Sequence, residues 1–126
     1  MPWEIFLTDE VNEWLDDLTT VDDDSYRQVV YAIEALAQVG PNLGRPLVGR
    51  IKGSAIHKLK ELRPGSAGAT EVRILFVFDP WRSAILLVVG DKASTRSGWY
   101  RHAIPHAEQL YETYLKERAA EQEPPP

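Results

Sequence analysis

Cysteine is missing from the sequence, which has 126 residues. Its absence excludes disulfide bonds and thiol catalysis, and nothing else suggests an oxidising compartment. Long hydrophobic runs are missing too, since none approaches the roughly 20 apolar residues that a membrane-spanning helix needs. The N-terminus lacks the basic region and the apolar run of a signal peptide. From these absences we expect a cytoplasmic protein.

Basic residues are scarce at the start of the chain and abundant in its middle. Residues 1–44 contain ten acids and a single basic residue, Arg27, for a net charge of −9. Residues 45–101, the basic module, have a net charge of +7, and residues 102–126 have one of −3, so the overall −5 hides a sharp division. Local clustering of this kind favours a nucleic-acid ligand. The alternative is that Lys and Arg occupy solvated strand edges.

The length suits one domain with a real core, and we expect a single domain over residues 1–120 with a flexible tail at 121–126. The sequence outside the basic module predicts one short strand and three helices. They are a strand from Trp3 to Leu7, a helix capped by Thr8 and Asp9, a second helix opened by Asp22 to Ser25 and ended by Gly40, and a last helix starting near Pro105.

Three apolar runs in the basic module predict three consecutive strands. They cover residues 57–63, 72–79 and 83–90, and the connections between them are too short for a crossover helix, so the pairing is antiparallel. The fold class is therefore α+β. We expect a small antiparallel sheet with an N-terminal helical hairpin on one face and a C-terminal helix.

Cations stand at the ends of these strands. Arg63 ends the first strand, Arg73 lies near the start of the second, and Lys92 follows the third. Cleavage of RNA by its own 2′-hydroxyl requires a base, an acid and stabilisation of the charged phosphorane. Arg suits the last task because its planar fork pairs with phosphate oxygens bidentately. A Lys whose pKa is lowered by neighbouring cations can act as base or acid.

Other candidates are less specific. Residues 42–56 look irregular and are either a mobile basic loop beside the sheet or a plain connector; they lack the Gly-Lys-Ser/Thr of a phosphate-binding Walker loop. His57 adjoins the basic strand and either titrates usefully or is structural. Trp99 and Tyr100 either stack a base or belong to the core. No metal-ligand spacing is present, so we expect neither a metal nor a cofactor.

The element order, with three short motifs, resembles the RelE/HigB superfamily of bacterial toxins, and in particular its phage-derived HigB-like branch. Leu59-Lys60-Glu61-Leu62-Arg63 resembles an aromatic/aliphatic-Glu-Leu-Arg strand of that branch. Residues 71–78, Glu-Val-Arg-Ile-Leu-Phe-Val-Phe, resemble its Tyr-Arg-Val-Leu-Tyr strand. Leu86 to Lys92 resembles its Leu-Leu-x-Gly-Phe-x-Lys-Lys strand end, with Asp91 in place of the aromatic and one Lys in place of two.

The resemblance implies the toxin of a toxin–antitoxin system, a RelE-like fold and a metal-independent, ribosome-dependent endoribonuclease that cleaves mRNA. Implied partners are a helix-turn-helix antitoxin, mRNA in the ribosomal A site and, for the toxin–antitoxin complex, operator DNA, with no membrane. The candidate catalytic residues are Arg63, Arg73, Lys92 and Lys60, and the candidate RNA-binding residues are Arg45, Arg50, Lys52, His57, Lys58, Arg96 and Tyr100. Two alternatives remain: a ParE-like toxin directed at gyrase, and a defective toxin homologue that only binds its antitoxin.

Overall fold

A computed structural model describes residues 2–56, 58–65, 71–92 and 98–122. These residues form β1 (Glu4–Leu7), α1 (Asp9–Val21), α2 (Asp23–Val39), a short 3-10 helix (Gly40–Asn42), β2 (Val48–Arg50), β3 (Lys60–Leu62), β4 (Val72–Phe78), β5 (Ser83–Asp91) and α3 (Gly98–Gln122). The predicted α+β class, with N-terminal helices and a C-terminal helix, is confirmed. Two predicted RNA-binding residues, His57 and Arg96, lie outside the described residues.

Side-chain caps fix the starts of α1 and α2, as the sequence predicts. Thr8 Oγ1 accepts a hydrogen bond from the Val11 N–H at 3.4 Å and donates to the Leu87 carbonyl at 2.9 Å. Asp22 Oδ1 accepts from the Ser25 N–H at 3.1 Å. The bonds donated by Val11 and Ser25 each satisfy an N–H that a helix start leaves without a partner. The Thr8 bond to Leu87 also ties α1 to β5.

The five strands form one mixed sheet in the order β1-β5-β4-β3-β2. Strands β2, β3, β4 and β5 pair antiparallel, as expected, whereas β1 pairs parallel with β5. Parallel neighbours need a long connection between them, and the segment that contains α1 and α2 belongs to it. The sheet is therefore mixed where the sequence predicted an antiparallel one.

Helices cover both faces of the sheet. The α1–α2 hairpin packs on the face that carries Ile74, Phe76 and Leu86. Helix α3 packs on the opposite face, against Leu75, Val77, Ile85 and Leu87. We call these the hairpin face and the α3 face; each is apolar because each is buried.

A β-bulge in β5 changes which residues face α3. Leu75 pairs with Val88 but the next residue, Phe76, pairs with Leu86, so Leu87 is the extra residue. Leu87 and Val88 consequently both pack with α3, and Val89 packs on the hairpin face. Strict alternation would place Val89 with Leu87; the bulge reverses the pattern at the end of β5.

Helix α3 begins seven residues earlier than the sequence predicts. It starts at Gly98, and Pro105 lies inside it rather than in its first turn. Proline in a helix interior removes one hydrogen bond and is unfavourable. Packing of Trp99, Ala103 and Ala107 against the sheet offsets this cost. The helix reaches Gln122, so it includes the first two residues of the predicted tail, and residues 123–126 lie outside the described part.

Residues 42–56 contain a strand that the sequence analysis did not predict. β2 is only three residues long and forms the edge of the sheet beside β3. Gly49 at its centre and a length below the usual five or six residues give it no detectable pattern. Across the described helices, no segment combines the length and the apolar character needed to cross a membrane.

Candidate active site

Glu61 is a buried carboxylate at the centre of β3. Its side chain is 2 % exposed, and its register partners are Gly49 of β2 and Leu75 of β4, which places it on the α3 face. Removing a carboxylate from water costs on the order of several kcal/mol. Only paired cations and hydrogen bonds can offset this cost. Glu61 therefore requires cations close to it.

Two arginines supply that charge. Arg63 lies two residues beyond Glu61 and shares its face; its Nε donates to Glu61 Oε1 at 2.8 Å. Arg73 Nε lies 3.7 Å from the same oxygen, and Arg73 Nη1 donates to the Val72 carbonyl at 2.9 Å. The Arg63 side chain is 34 % exposed and the Arg73 side chain 18 %. Each guanidinium is thus held by Glu61 and still partly accessible from solvent.

Gly49 makes room for Arg63 on the edge strand. A Cβ at Gly49 would lie 2.5 Å from Cζ and from Nη2 of Arg63. Real Cβ atoms do not approach other atoms so closely, and the guanidinium is the group that would have to move. Glycine at this position therefore lets the Arg63 side chain lie across β2.

Tyr100 and Lys92 complete the group. Burial, followed by interaction with the Glu61 carboxylate, raises the pKa of Tyr100 from its ordinary 10.0 to about 12, although Arg73 and Arg63 act in the opposite direction. The hydroxyl is thus a donor at neutral pH. The Lys92 N–H bonds to the Glu71 carbonyl at 2.9 Å, which fixes the backbone at the end of β5. Lys92 Nζ lies 5.6 Å from the centroid of the Tyr100 ring, a cation–π distance. We call Glu61, Arg63, Arg73, Lys92 and Tyr100 the Glu61 cluster.

Gly90 sets the position at which α3 starts above this cluster. A Cβ at Gly90 would lie 2.2 Å from Nε1 of Trp99, so the indole packs directly on the backbone of β5. The rings of Trp99 and Tyr100 meet edge to face with centroids 4.9 Å apart. Gly90 pairs with Arg73 in the sheet. Close packing of Trp99 on Gly90 therefore brings Tyr100 to the arginines.

A second group of cations surrounds a cavity of about 700 Å³ near the other end of β3. We call it the basic cavity; its cations are Arg50, Lys52, Lys58 and Lys60. The other lining residues are Trp3, Pro41, Ile51, Leu59, Phe78 and Asp79. Trp3 and Phe78 contact each other edge to face with centroids 4.9 Å apart, and Lys60 Nζ lies 5.3 Å from the centroid of the Phe78 ring.

Crowding of like charges marks the rim of this cavity. Burial lowers the pKa of Lys60 first, and the positive charges of Arg50 and Lys58 lower it further. Arg50 and Lys60 are direct partners across β2 and β3, where like charges destabilise a sheet. Lys58 has a φ of 82°, a left-handed conformation that non-glycine residues seldom adopt. Unfavourable features of this kind persist chiefly at ligand sites.

The predicted catalytic residues fall into two places. Arg63, Arg73 and Lys92 come together in the Glu61 cluster, and the structure adds Tyr100, which was predicted to bind RNA. Lys60 does not join them. It pairs with Phe76, on the hairpin face, about 10 Å along the strand from Arg63.

The predicted RNA-binding residues Arg50, Lys52 and Lys58 line the basic cavity. Arg45 lies in an adjoining groove of about 460 Å³ that also includes Gly49, Arg50, Lys52 and Lys60.

Most of this fold matches one protein family. Residues 16–112 match the family model described as "Phage derived protein Gp49-like (DUF891)". This chain belongs to the Gp49-like family. The match includes α2, all of β2 to β5 and the Glu61 cluster, and it confirms the resemblance to the phage-derived HigB-like branch.

Two relatives of this Gp49-like chain come from Mycobacterium tuberculosis (strain ATCC 25618 / H37Rv). "Putative toxin HigB2" is 45 % identical over 107 residues, which cover 85 % of this chain and 52 % of that protein. "Putative toxin HigB3" is 43 % identical over 111 residues, which cover 88 % of this chain and 92 % of that protein. The chain thus spans about half the length of the first relative and nearly all of the second. No solved structure matches the chain.

Glu61 is the residue of this Gp49-like site that the sequence analysis missed. The Leu-Lys-Glu-Leu-Arg motif contains it, but the motif alone indicates no role for it. The available signal was its position two residues before Arg63, which places both on one face of the strand, together with a carboxylate in an apolar run. Arg73 is predictable because it is a cation near a strand end, whereas Glu61 lies at the centre of a strand.

The side chains of the Glu61 cluster are suited to an anionic ligand with several oxygen atoms, such as a phosphate group. Guanidinium, ammonium and phenol groups all donate hydrogen bonds, and paired guanidinium groups favour phosphate geometry. Among the residues that the structure describes, no group of three or more His, Asp or Glu side chains is placed to hold a metal ion. The described cluster thus provides positive charge, N–H donors and an O–H donor on a rigid sheet.

Proposed function

We propose that this Gp49-like chain is the toxin of a toxin–antitoxin pair and acts as a ribosome-dependent endoribonuclease that cleaves mRNA and so inhibits translation. The observation that carries the proposal is the Glu61 cluster, in which three cations and a protonated phenol meet at one end of the sheet. Membership of the Gp49-like family and similarity to relatives named as HigB toxins support the biological role.

The arginines are the groups proposed to act on the scissile phosphate. Attack by the 2′-hydroxyl forms a new bond from oxygen to phosphorus, and the hydroxyl proton passes to solvent water. The resulting phosphorane carries more negative charge than the ground state. Arg63 and Arg73, which Glu61 holds in place, then donate hydrogen bonds to the phosphorane oxygens. Because the two guanidinium groups are already oriented, no reorganisation is needed in the transition state, and this lowers the barrier. Glu61 is a positioning residue in this scheme, because its carboxylate contacts the arginines rather than the substrate.

Tyr100 and Lys92 have complementary roles. With a pKa near 12, the Tyr100 hydroxyl donates a hydrogen bond at neutral pH and does not act as a base. Lys92 adds positive charge over the Tyr100 ring, where it neutralises the phosphate or donates a proton to the leaving 5′-oxygen. Lys60, placed at the other group of cations, is assigned to strand binding.

We also propose three binding partners for this chain or its complex. A helix-turn-helix antitoxin is the expected inhibitor, mRNA in the ribosomal A site is the expected substrate, and the toxin–antitoxin complex is expected to bind operator DNA. The likeness to toxins with HigB names supports the first of these. The accessible guanidinium groups of the Glu61 cluster support the second.

Induced expression with primer extension on a reporter message tests the proposal. Wild type should give discrete 5′ ends in the message and arrest growth. Arg73→Ala with Lys92→Ala should lose the new ends; each lost transition-state contact is expected to lower the rate about 10²–10³-fold, by analogy with an oxyanion-hole donor. Lys116→Ala, which removes a cation 76 % exposed on α3, is the matched control and should cleave normally.

Two results would reject the assignment in different ways. Growth arrest with an intact message, together with inhibited gyrase, would favour the ParE-like alternative. Undiminished cleavage by a folded double variant would leave the ribonuclease activity in place and remove the Glu61 cluster as its site.

A further inference from the structure

The basic cavity and the Glu61 cluster are linked by a continuous line of positive charge along the edge strand β2. The cavity shares Arg50, Lys52 and Lys60 with the adjoining groove, and that groove extends to Gly49. The guanidinium of Arg63 lies directly over Gly49 on the α3 face. A ligand that follows β2 therefore passes from one group of cations to the other.

The two ends of this line lie on different faces of the sheet. Arg50 and Lys60 pair with each other and with Phe76, on the hairpin face. Glu61 and Gly49 pair on the α3 face. Because β2 is an edge strand, nothing in the described sheet separates the faces at this point. A thin, flexible polyanion can cross the edge, whereas a rigid duplex cannot follow so sharp a path.

The walls of the basic cavity favour a ligand with both a phosphate and an aromatic part. Trp3 and Phe78 provide aromatic surface, Ile51 and Leu59 provide aliphatic surface, and the cations stand around them. Single-stranded nucleic acids are bound in this way, by positive grooves with aromatic side chains for the bases. The lowered pKa of Lys60 agrees with this reading, since a bound phosphate would relieve the crowding by Arg50 and Lys58.

We propose that the basic cavity is a second nucleotide subsite, and that a single RNA strand crosses the β2 edge from this cavity to the Glu61 cluster. The inference rests on the proposed ribonuclease function and deepens it by naming where a nucleotide outside the scissile position binds. Lys58 and Lys60 contact its phosphate, and Trp3 and Phe78 contact its base. These residues determine affinity and register, while the cluster performs the chemistry.

The test measures binding of a short 2′-O-methyl oligonucleotide, which lacks the nucleophilic hydroxyl and so cannot be cleaved. Lys58→Gln with Lys60→Gln should weaken binding at least tenfold. It should also reduce the slope of log affinity against log salt by about 1.4, since each single-strand phosphate contact contributes about 0.7. The matched control is Arg27→Gln with Lys116→Gln, which removes the same charge from two side chains that are each 76 % exposed on α2 and α3.

Two further variants separate binding from misfolding. Lys58→Arg with Lys60→Arg keeps both charges and should restore most of the affinity. Binding should also change tryptophan emission in wild type and not in Trp3→Phe, because Trp3 lines the cavity. On cleavable RNA, the glutamine double variant should raise KM with little change in kcat, the pattern of a binding residue.

The outcomes distinguish the subsite from the ribonuclease function. If the glutamine double variant binds the oligonucleotide like its control, the subsite is wrong even where wild type cleaves message. If wild type binds the oligonucleotide through Lys58 and Lys60 but never cleaves message, the subsite stands and the ribonuclease function fails. If free 5′-AMP binds as tightly as the oligonucleotide, the cavity is a site for free nucleotide. If polyglutamate binds equally well, the cavity is a site for an acidic protein. Either result would reject the proposal that an RNA strand crosses the β2 edge.

Discussion

Single residues with little chemistry of their own hold the Glu61 cluster together. Gly49 and Gly90 react with nothing, yet a methyl group at either would meet Arg63 or Trp99 at 2.5 Å or less. Glu61 is shielded from solvent, and its contribution is to orient two arginines. Substitutions at these positions are therefore expected to change geometry first and charge second.

Gly90→Ala tests this expectation. The added methyl forces Trp99 away from β5 and displaces the start of α3, and with it Tyr100. We expect a loss of about 1–3 kcal/mol in the free energy of unfolding, the usual effect of overpacking, and strongly reduced cleavage. Urea unfolding and primer extension measure the two effects. Gly44→Ala is the matched control, since a Cβ there meets no atom within 4 Å; equal behaviour of the two variants would contradict the packing argument.

Glu61→Gln tests the charge of the buried carboxylate. The pKa of Tyr100 is raised to about 12, so the stability linked to its protonated form is present below pH 10 and lost as pH rises toward 12. Removing the negative charge should lower that pKa, so the alkaline loss of stability should still begin near pH 10 but should be smaller and end at a lower pH. We also expect about 3 kcal/mol of destabilisation, because two arginines lose their partner.

The absorbance of tyrosinate, compared between Glu61→Gln and the same variant with Tyr100→Phe, reports this titration. Tyr114 serves as an internal control. Its pKa is raised by burial and by a hydrogen bond to Asp79, at the other end of α3. A Tyr100 that titrates as late in Glu61→Gln as in wild type would show that burial alone sets its pKa.

At the scale of elements, α3 organises the loop between β2 and β3 as well as the Glu61 cluster. Glu108 Oε2 accepts hydrogen bonds from Ser54 Oγ at 2.8 Å and from the Ala55 N–H at 2.5 Å. Ile51 and Ile56 pack against the α3 face. The loop that carries Lys52 and Lys58 is thus anchored to the helix that carries Tyr100.

Glu108→Ala should release this loop without unfolding the domain. Loss of the carboxylate leaves two donors without their acceptor, at a local cost of about 1–3 kcal/mol. Hydrogen exchange at Ala55 and Ile56 should accelerate, and oligonucleotide affinity should fall. Glu112→Ala is the control, because its exposed carboxylate pairs with Lys116 on the helix surface at 3.2 Å. Unchanged exchange at Ala55 would mean that packing of the isoleucines is sufficient to hold the loop.

The elements differ in how well the sequence predicts them, for physical reasons. Helices α1 and α2 were predictable because a capping side chain and an apolar stripe agree in each, and a terminal glycine marks the end of α2. Strands β4 and β5 were predictable because they are long, apolar and bounded by turns. β2 was not, since three residues with a central glycine carry no periodicity, and the early start of α3 was hidden by Pro105.

The candidate site was predictable only in part. Arg63, Arg73 and Lys92 were grouped correctly in space because they stand near strand ends that pair. Lys60 was predicted to act with them, but strand alternation already puts residues 60 and 63 on opposite faces, and Lys60 lies on the hairpin face. The basic cavity depends on Trp3 and Phe78, which are distant in sequence, and no local pattern indicates their contact.

At the scale of the whole molecule, opposite charges lie on different surfaces. The exposed acids of α1 and of the start of α2 belong to the hairpin, whereas the Glu61 cluster lies on the α3 face of the sheet. Nucleic acid is repelled by the acidic surface, and a basic protein is attracted to it. The hypothesis is that the antitoxin binds the acidic surface and inhibits by its bulk. The alternative is that the acids only solubilise the hairpin.

Reversing three exposed acids tests where the antitoxin binds. Glu13→Lys with Asp16→Lys and Asp17→Lys should slow association with the antitoxin about tenfold or more at low salt, because exposed interface charges act mainly on the association rate. Toxicity in the absence of antitoxin should persist. The control variant reverses Glu112, Glu117 and Glu121 on α3. Unaltered association kinetics would place the antitoxin elsewhere, with the basic strands as the next surface to examine.

The parallel pairing of β1 with β5 has a consequence for synthesis. Glu4 pairs with Ser83, so β1 has no partner in the sheet until β5 has been made. Contacts of such long sequence separation slow folding, and the arginines of β3 and β4 are ordered only when β5 and α3 arrive. A nascent chain therefore lacks an assembled Glu61 cluster until β5 and α3 have been made, and under the proposed function this delay gives a co-expressed inhibitor time to engage it. Ribosome-stalled chains ending before residue 83 should accordingly remain protease-sensitive, and protection at that length would show that the N-terminal half folds without β5.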